Sequence, residues 1–131
     1  MNSKRLNDVA LFLLRTVFSL FMMTHGWGKL QKLMEGGEIE FYNFIGLGPK
    51  ISLILTVFGE FVAPAFVILG LFTRWATVPV VITMGVAAFM VHAGDPIGDR
   101  EGSLTYLICY LAILMMGPGA YSIDQQLGKK R

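Results

Sequence analysis

Charge is what this sequence has least of. Charged residues make up 15% of its 131 positions, against roughly 25% in soluble domains. The net charge is +2, and no Lys/Arg-rich segment of any length accompanies it, which excludes a nucleic-acid-binding chain. There is one cysteine, Cys109, so neither an internal disulfide nor a CxxC redox pair is possible. Any redox chemistry must come from a bound cofactor or a partner. Nucleophile–base and phosphate-loop signatures are absent, which argues against a stand-alone hydrolase. Internal repeats and low-complexity tracts are missing too, and a chain this short is one domain.

Apolar residues fill the space that charge leaves. Four runs stand out: 9–27, broken by Arg15 and His25; 51–72, broken only by Glu60; 75–92; and 104–116. A membrane span needs about 20 apolar residues. The pattern predicts an all-α, polytopic membrane protein: one four-transmembrane-helix bundle with spans at 8–29, 51–72, 75–92 and 101–117. The last run is short, so it borrows residues 100–103 or Gly117, or else forms a re-entrant segment. Lys4 and Arg5 precede the first run as in a signal peptide. Arg15 interrupts that run and no A-x-A-like site follows, so the first segment is expected to stay as a span. Between the first two runs, Phe41, Tyr42 and Phe44 lie among charges, as in a short interfacial segment. Thr73-Arg74 is a tight hairpin that makes its two helices antiparallel neighbours. Ser122 with Gln125 reads as a capping box for a short surface helix.

Lys and Arg set the expected orientation. Lys4, Arg5, Arg74, Lys129, Lys130 and Arg131 share one side and number six, against four (Lys29, Lys32, Lys50, Arg100) on the other. Both termini are therefore expected in the cytoplasm.

The informative residues are the polar ones inside the runs, since each charge deep in a bilayer costs roughly 2.5–3.5 kcal/mol on insertion scales. Arg15 and Glu60 lie on antiparallel helices at similar expected depths, and the sequence predicts that they pair. The pair either fixes helix register or holds a polar headgroup, with Glu60 able to carry a proton. A second set, His25, Lys29, His92 and Glu101, gathers near the opposite face. Arg15, Ser19, Met22, Gly26 and Lys29 fall on one stripe of the first helix, with His25 at its margin. Thr77, Val81, Gly85, Ala88 and His92 form a stripe on the third that suits close packing within the chain or against a second copy. Two histidines and a carboxylate at one level are a possible ligand set, but their spacing matches no metal motif and no metal is expected. They serve either a small polar head or simply the wet ends of helices. Tyr106 and Tyr110 form a further face, read as packing or an aromatic belt.

These residues carry a family resemblance. Arg15-x3-Ser19-x5-His25-Gly26-x2-Lys29-Leu30 resembles the first-helix signature of the DoxX family, with Ser19 where glycine is more usual. Gly59-Glu60-x3-Pro64 running into Gly70-Leu71-x-Thr73-Arg74-x-Ala76 resembles its second helix and hairpin, and Gly117-Pro118-Gly119-x2-Ser122-x-Asp124 its ending. The resemblance implies a four-helix protein of a bacterial or archaeal plasma (inner) membrane. Some members are linked to thiosulfate oxidation with electron transfer to quinone, others to oxidative or electrophile stress as parts of membrane complexes. It implies an accessory redox or stress-response subunit with Arg15, His25, Lys29, Glu60, His92 and Glu101 around a quinone-like head or along a proton route. A soluble or membrane partner would supply electrons. A non-catalytic scaffold and a small-solute or proton carrier using Glu60 are the alternatives, because a shared fold does not transfer a reaction.

Overall fold

The structure is a computed structural model describing residues 2–129. Lys130 and Arg131, counted above among the positive charges of the tail, lie outside the described residues, as does the side chain of Lys129.

Local chemistry sets where the helices start and stop. The Asn2 side chain accepts from the N–H of Arg5 at 2.9 Å, the bond that opens a helix by satisfying one of its free donors. Helix α1 then runs Ser3–Glu35 and ends at Gly36, whose φ of 72° admits only glycine comfortably. Residues 37–48 contain a single 3₁₀ turn, Phe44–Gly46, where an interfacial helix was one expectation. Gly37, Gly46, Gly48 and a left-handed Ile45 in this stretch leave no run able to propagate a helix. Pro49 opens α2, Pro49–Leu69, from the first-turn position where its missing N–H costs nothing. Gly70 closes it in the left-handed conformation. The N–H of Leu71 reaches the Phe66 carbonyl at 3.0 Å and that of Gly70 the Val67 carbonyl at 3.1 Å, the Schellman pattern. Helices α3, Thr73–Val91, and α4, Ile97–Met116, follow, and Ile123–Lys129 forms a short α5. The N–H of Gln125 donates to Ser122 Oγ at 3.2 Å, so Ser122 caps α5. No strand occurs among the described residues.

Helices α1, α2 and α3 are each long and apolar enough to cross a membrane. Helix α4 has the length, but Asp99, Arg100 and Glu101 occupy its opening turns. The architecture is an all-α membrane bundle.

A proline shapes its centre. Pro64 has no N–H for the Glu60 carbonyl, and its ring would collide with that oxygen in a regular turn. The chain widens into a π turn over Phe58–Val62, where the N–H of Ala63 reaches back five residues to Phe58. That turn presents Glu60 and its carbonyl toward α1 at Gly26. A Cβ on Gly26 would lie 2.5 Å from the Glu60 carbonyl oxygen and 2.9 Å from the Phe61 nitrogen. Gly26 is where the two backbones touch. A second π turn, Ala87–Val91, ends α3.

The core is formed by one stripe from each of α1 to α4, including Leu11 and Met22 of α1, Val67 of α2, Met84 of α3 and Ile113 of α4. On α1, Leu11, Arg15, Ser19, Met22 and Gly26 are buried. On α3 the buried stripe is Thr73, Thr77, Val80, Met84 and Ala88. It shares Thr77 and Ala88 with the expected small-residue stripe, whose Val81 packs half-buried against the core, while Gly85 and His92 are half-buried outside it. Nearly every residue of α3 is apolar, so hydropathy alone does not fix which face turns inward.

Candidate functional site

Two polar clusters lie at different levels of the bundle. The first surrounds the α2–α3 turn. Arg15, fully buried, donates from Nη1 to the Val67 carbonyl at 2.6 Å and to the Ile68 carbonyl at 3.1 Å. Its Nη2 donates to the Tyr121 carbonyl, while Nε has no partner. The guanidinium thus satisfies the last carbonyls of α2, at the negative end of its dipole. Asp124 does the converse for α3. Its carboxylate accepts from the N–H groups of Phe72 and Thr73 and from Thr73 Oγ1, each at 2.8 Å. Phe72, the residue before α3, has no capping side chain, and Asp124 supplies the cap from the tail.

This corrects the expected Arg15–Glu60 pair. Gly26 is level with Glu60, and Arg15 lies eleven residues earlier on α1. At 1.5 Å per residue the offset is roughly 16 Å, beyond a side chain's reach. Lys29, less than one turn beyond Gly26, takes the carboxylate instead. Its Nζ donates to both Glu60 oxygens, at 2.7 and 2.6 Å. The ion pair joins a Glu60 side chain that is 4% exposed to a Lys29 side chain that is 35% exposed.

That pair faces the second cluster, a cavity of about 690 Å³. His25 and Lys29 of α1, Glu60 of α2 and His92, the residue that follows α3, all line it. Tyr106 of α4 lines it as well, its ring edge-on to His25 at 6.0 Å and to Phe18 at 5.9 Å. His92 Nδ1 lies 3.1 Å from Asp95 Oδ2, which orients the ring. Phe41, Tyr42 and Phe44 fold over one side. Lys32 holds that loop by donating to the Glu40 carbonyl and lying over the Phe41 ring.

Glu101 is not in the cavity. It is exposed, and Asp99, Gly102, Ser103 and Tyr106 form the α4 wall. Those four share one helical face by the i, i+3, i+4, i+7 rule, and Glu101 points elsewhere. Helix α4 starts at Ile97, so Asp99 is also helical, and about 200° of helical phase separates it from Glu101; the carboxylate facing the cavity at this level is Asp99. Tyr106 and Tyr110 also part ways. Tyr110 is fully buried and shares a 2.8 Å hydrogen bond with Ser19, whereas Tyr106 belongs to the site. No group of three His, Cys, Asp or Glu side chains among the described residues converges on a metal-binding arrangement.

The family follows from the match to known proteins. The DoxX family profile covers residues 10–93, a segment that holds both halves of the Lys29–Glu60 pair and both histidines. The chain belongs to the DoxX family. This DoxX chain is similar to inner membrane protein YqjF of Escherichia coli K12, 29% identical over 97% of the chain and 98% of the relative. It is also similar to an uncharacterized protein of Haemophilus influenzae, 29% identical over 98% of each. Inner membrane protein YphA of Escherichia coli K12 is 27% identical over 90% of each. No solved structure matches this DoxX chain.

Chemically, the site offers hydrogen bonds around an internally balanced ion pair, with one further carboxylate, Asp99, on the α4 wall. The ammonium and carboxylate of the pair cancel, two of the three Lys29 N–H bonds go to Glu60, and the third is free. An imidazole in its neutral form carries one donor and one acceptor nitrogen. A head with carbonyl or hydroxyl groups suits these donors and acceptors.

Proposed function

We propose that this is an inner-membrane protein of four crossings whose cavity holds the polar head of a quinone-like molecule. It acts as an accessory subunit of a redox or stress-response membrane complex. The observation that carries this reading is the Lys29–Glu60 ion pair set in the wall of a mostly apolar cavity, with His25, His92 and Tyr106 around it. About 690 Å³ lies within the roughly 300–1,000 Å³ of small-molecule sites, which join apolar walls to a few convergent polar groups. Two relatives, inner membrane proteins YqjF and YphA, support the membrane assignment, and the positive charges at Lys4, Arg5 and Arg74 support cytoplasmic termini. Within this reading the cavity residues bind and orient the head, and a partner supplies electrons.

The test is organic extraction of the purified protein followed by mass spectrometry, with a short-chain benzoquinone titrated into the stripped protein. Binding is expected to weaken in His25→Ala and His92→Ala, with melting temperatures little changed, and to be unaffected in Glu101→Gln. Equal binding in all four proteins would overturn the reading. A second reading has its own observation: Glu60 is almost wholly buried yet borders the cavity, as a titrating group in a carrier would. Proton uptake by liposomes holding the protein, lost in Glu60→Gln, would favour that alternative.

A further inference from the structure

The hairpin partners α2 and α3 touch along only part of their length. They meet at Gly59, where a Cβ would lie 3.0 Å from Thr83 Cβ and 3.2 Å from the Pro79 carbonyl. From there to the Gly70 turn they stay packed. Beyond Gly59 they separate: the first half of α2, Pro49–Val57, packs on α1 and makes no substantial contact with α3. Leu55 and Phe58 of α2 and Ile82 of α3 line this gap. They belong to the cavity wall and are also exposed on the outside of the bundle, Ile82 by 58%. The charged groups and the histidine sit on other walls, with Lys29 and Glu60 toward α1 and His92 and Asp99 toward the α3–α4 end, while Thr56 and Thr83 beside the gap spend their hydroxyls on backbone carbonyls of their own helices.

From this we infer that the cavity opens sideways into the bilayer between the diverging halves of α2 and α3. Its ligand is therefore a lipid-soluble molecule whose polar head meets the Lys29 side and whose long apolar chain leaves past Leu55, Phe58 and Ile82. The head rests on the function proposed above, while the gap stands on helix geometry alone. An aqueous mouth would put Leu, Phe and Ile side chains against water on both faces, which the hydrophobic effect opposes. Filled by a hydrocarbon chain, the gap is continuous with the lipid around it. The occupant is a single chain rather than a helix of another protein: the gap leads into a cavity whose far walls are polar, and a second helix would press apolar side chains onto them without hydrogen-bonding partners.

The experiment needs no knowledge of the head. Full-length protein carrying Cys109→Ser is labelled with a small fluorophore at Ser103→Cys, and separately at Thr56→Cys on the opposite wall. It is then reconstituted into phosphatidylcholine vesicles bearing a nitroxide on the acyl chain. The chain-borne nitroxide is expected to quench both labels. Ile82→Trp, a larger side chain at an already exposed position, is expected to abolish most of that quenching, and Leu20→Trp on the outer face of α1 to leave it intact. Quenching by a water-soluble nitroxide but not by the chain-borne one would mean an aqueous mouth and overturn the inference. Quenching by neither would mean the gap is sealed, by a second copy for example, and would overturn it equally. Because quinone extraction is scored separately, failure of the gap and failure of the headgroup reading give different results.

Discussion

Breaking the Lys29–Glu60 pair from its two sides should not cost the same. Glu60 is buried at 4% side-chain exposure, whereas Lys29 keeps 35%. Glu60→Gln removes the buried charge and leaves an ammonium able to turn toward the open face and snorkel. Lys29→Met does the opposite, leaving a carboxylate among apolar groups that must bind a proton or draw in water. One-sided removal from a fully buried pair costs about 3–5 kcal/mol, and exposed pairs are worth about 0–1 kcal/mol. This pair is intermediate. Lys29→Met is therefore expected to cost roughly 2–4 kcal/mol and Glu60→Gln roughly 1 kcal/mol. The double change should cost less than the sum, since the orphaned carboxylate is gone.

Detergent titration of the four proteins in bicelles, followed by circular dichroism, reads these differences as one thermodynamic cycle. Arg15→Gln combined with Glu60→Gln is the control. Those residues share no partner, so their effects should add within about 0.5 kcal/mol. A larger cost for Glu60→Gln than for Lys29→Met, or non-additivity between Arg15 and Glu60, would refute the assignment of partners.

Two further predictions come from the helix contacts. Gly26→Ala sets a Cβ against the Glu60 backbone; overpacking of this kind costs about 1–3 kcal/mol, and Gly28→Ala, whose Cβ meets nothing within 4 Å, should be nearly neutral in the same titration. Asp124 gives a pH dependence: partial burial raises its pKa, but the bonds from Thr73 and Phe72 and the nearby Arg15 outweigh this and hold it below the ordinary carboxylate value. Its contribution should be complete above about pH 4 and fall away as pH drops through the lowered native value, so thermal melts of wild type and Asp124→Asn should converge toward acid; a constant gap across that range would disprove the cap.

Much of the bundle was legible in the sequence because hydropathy and turn chemistry report it directly. The apolar runs, the hairpin at Thr73-Arg74, the Ser122 cap and the inward stripe of α1 all follow from spacing. What was not legible depended on register. Arg15 and Glu60 looked level because depth was counted from the ends of apolar runs, whereas the α1–α2 register is set by where a glycine admits a neighbouring backbone. Gly26 was on the inferred stripe, but nothing in the sequence says which residue it faces. Glu101 was misplaced for a related reason: α4 begins before its apolar run, and an earlier start selects Asp99. Tyr106 differs from Tyr110 by about 40° of helical phase, too little for periodicity to separate a cavity wall from a core.

The two charged clusters also show why an ionisable residue within a bundle need not mark a site. Arg15 has only backbone carbonyls as acceptors, two from α2 and one from the tail. It is fully buried, and Gly70 and Ser122 pack beside it. Its charge is spent on helix ends that would otherwise lie unsatisfied in a medium without water. Lys29 is held by a single carboxylate, keeps one N–H unused and borders open space. A group whose bonds all go to fixed elements of its own chain is part of the scaffold. A group with a free donor facing a cavity can bind something else. By that criterion Arg15 and Asp124 hold the α2–α3 turn to the tail, whereas Lys29, Glu60 and the two histidines border the cavity in which we propose that a ligand is held.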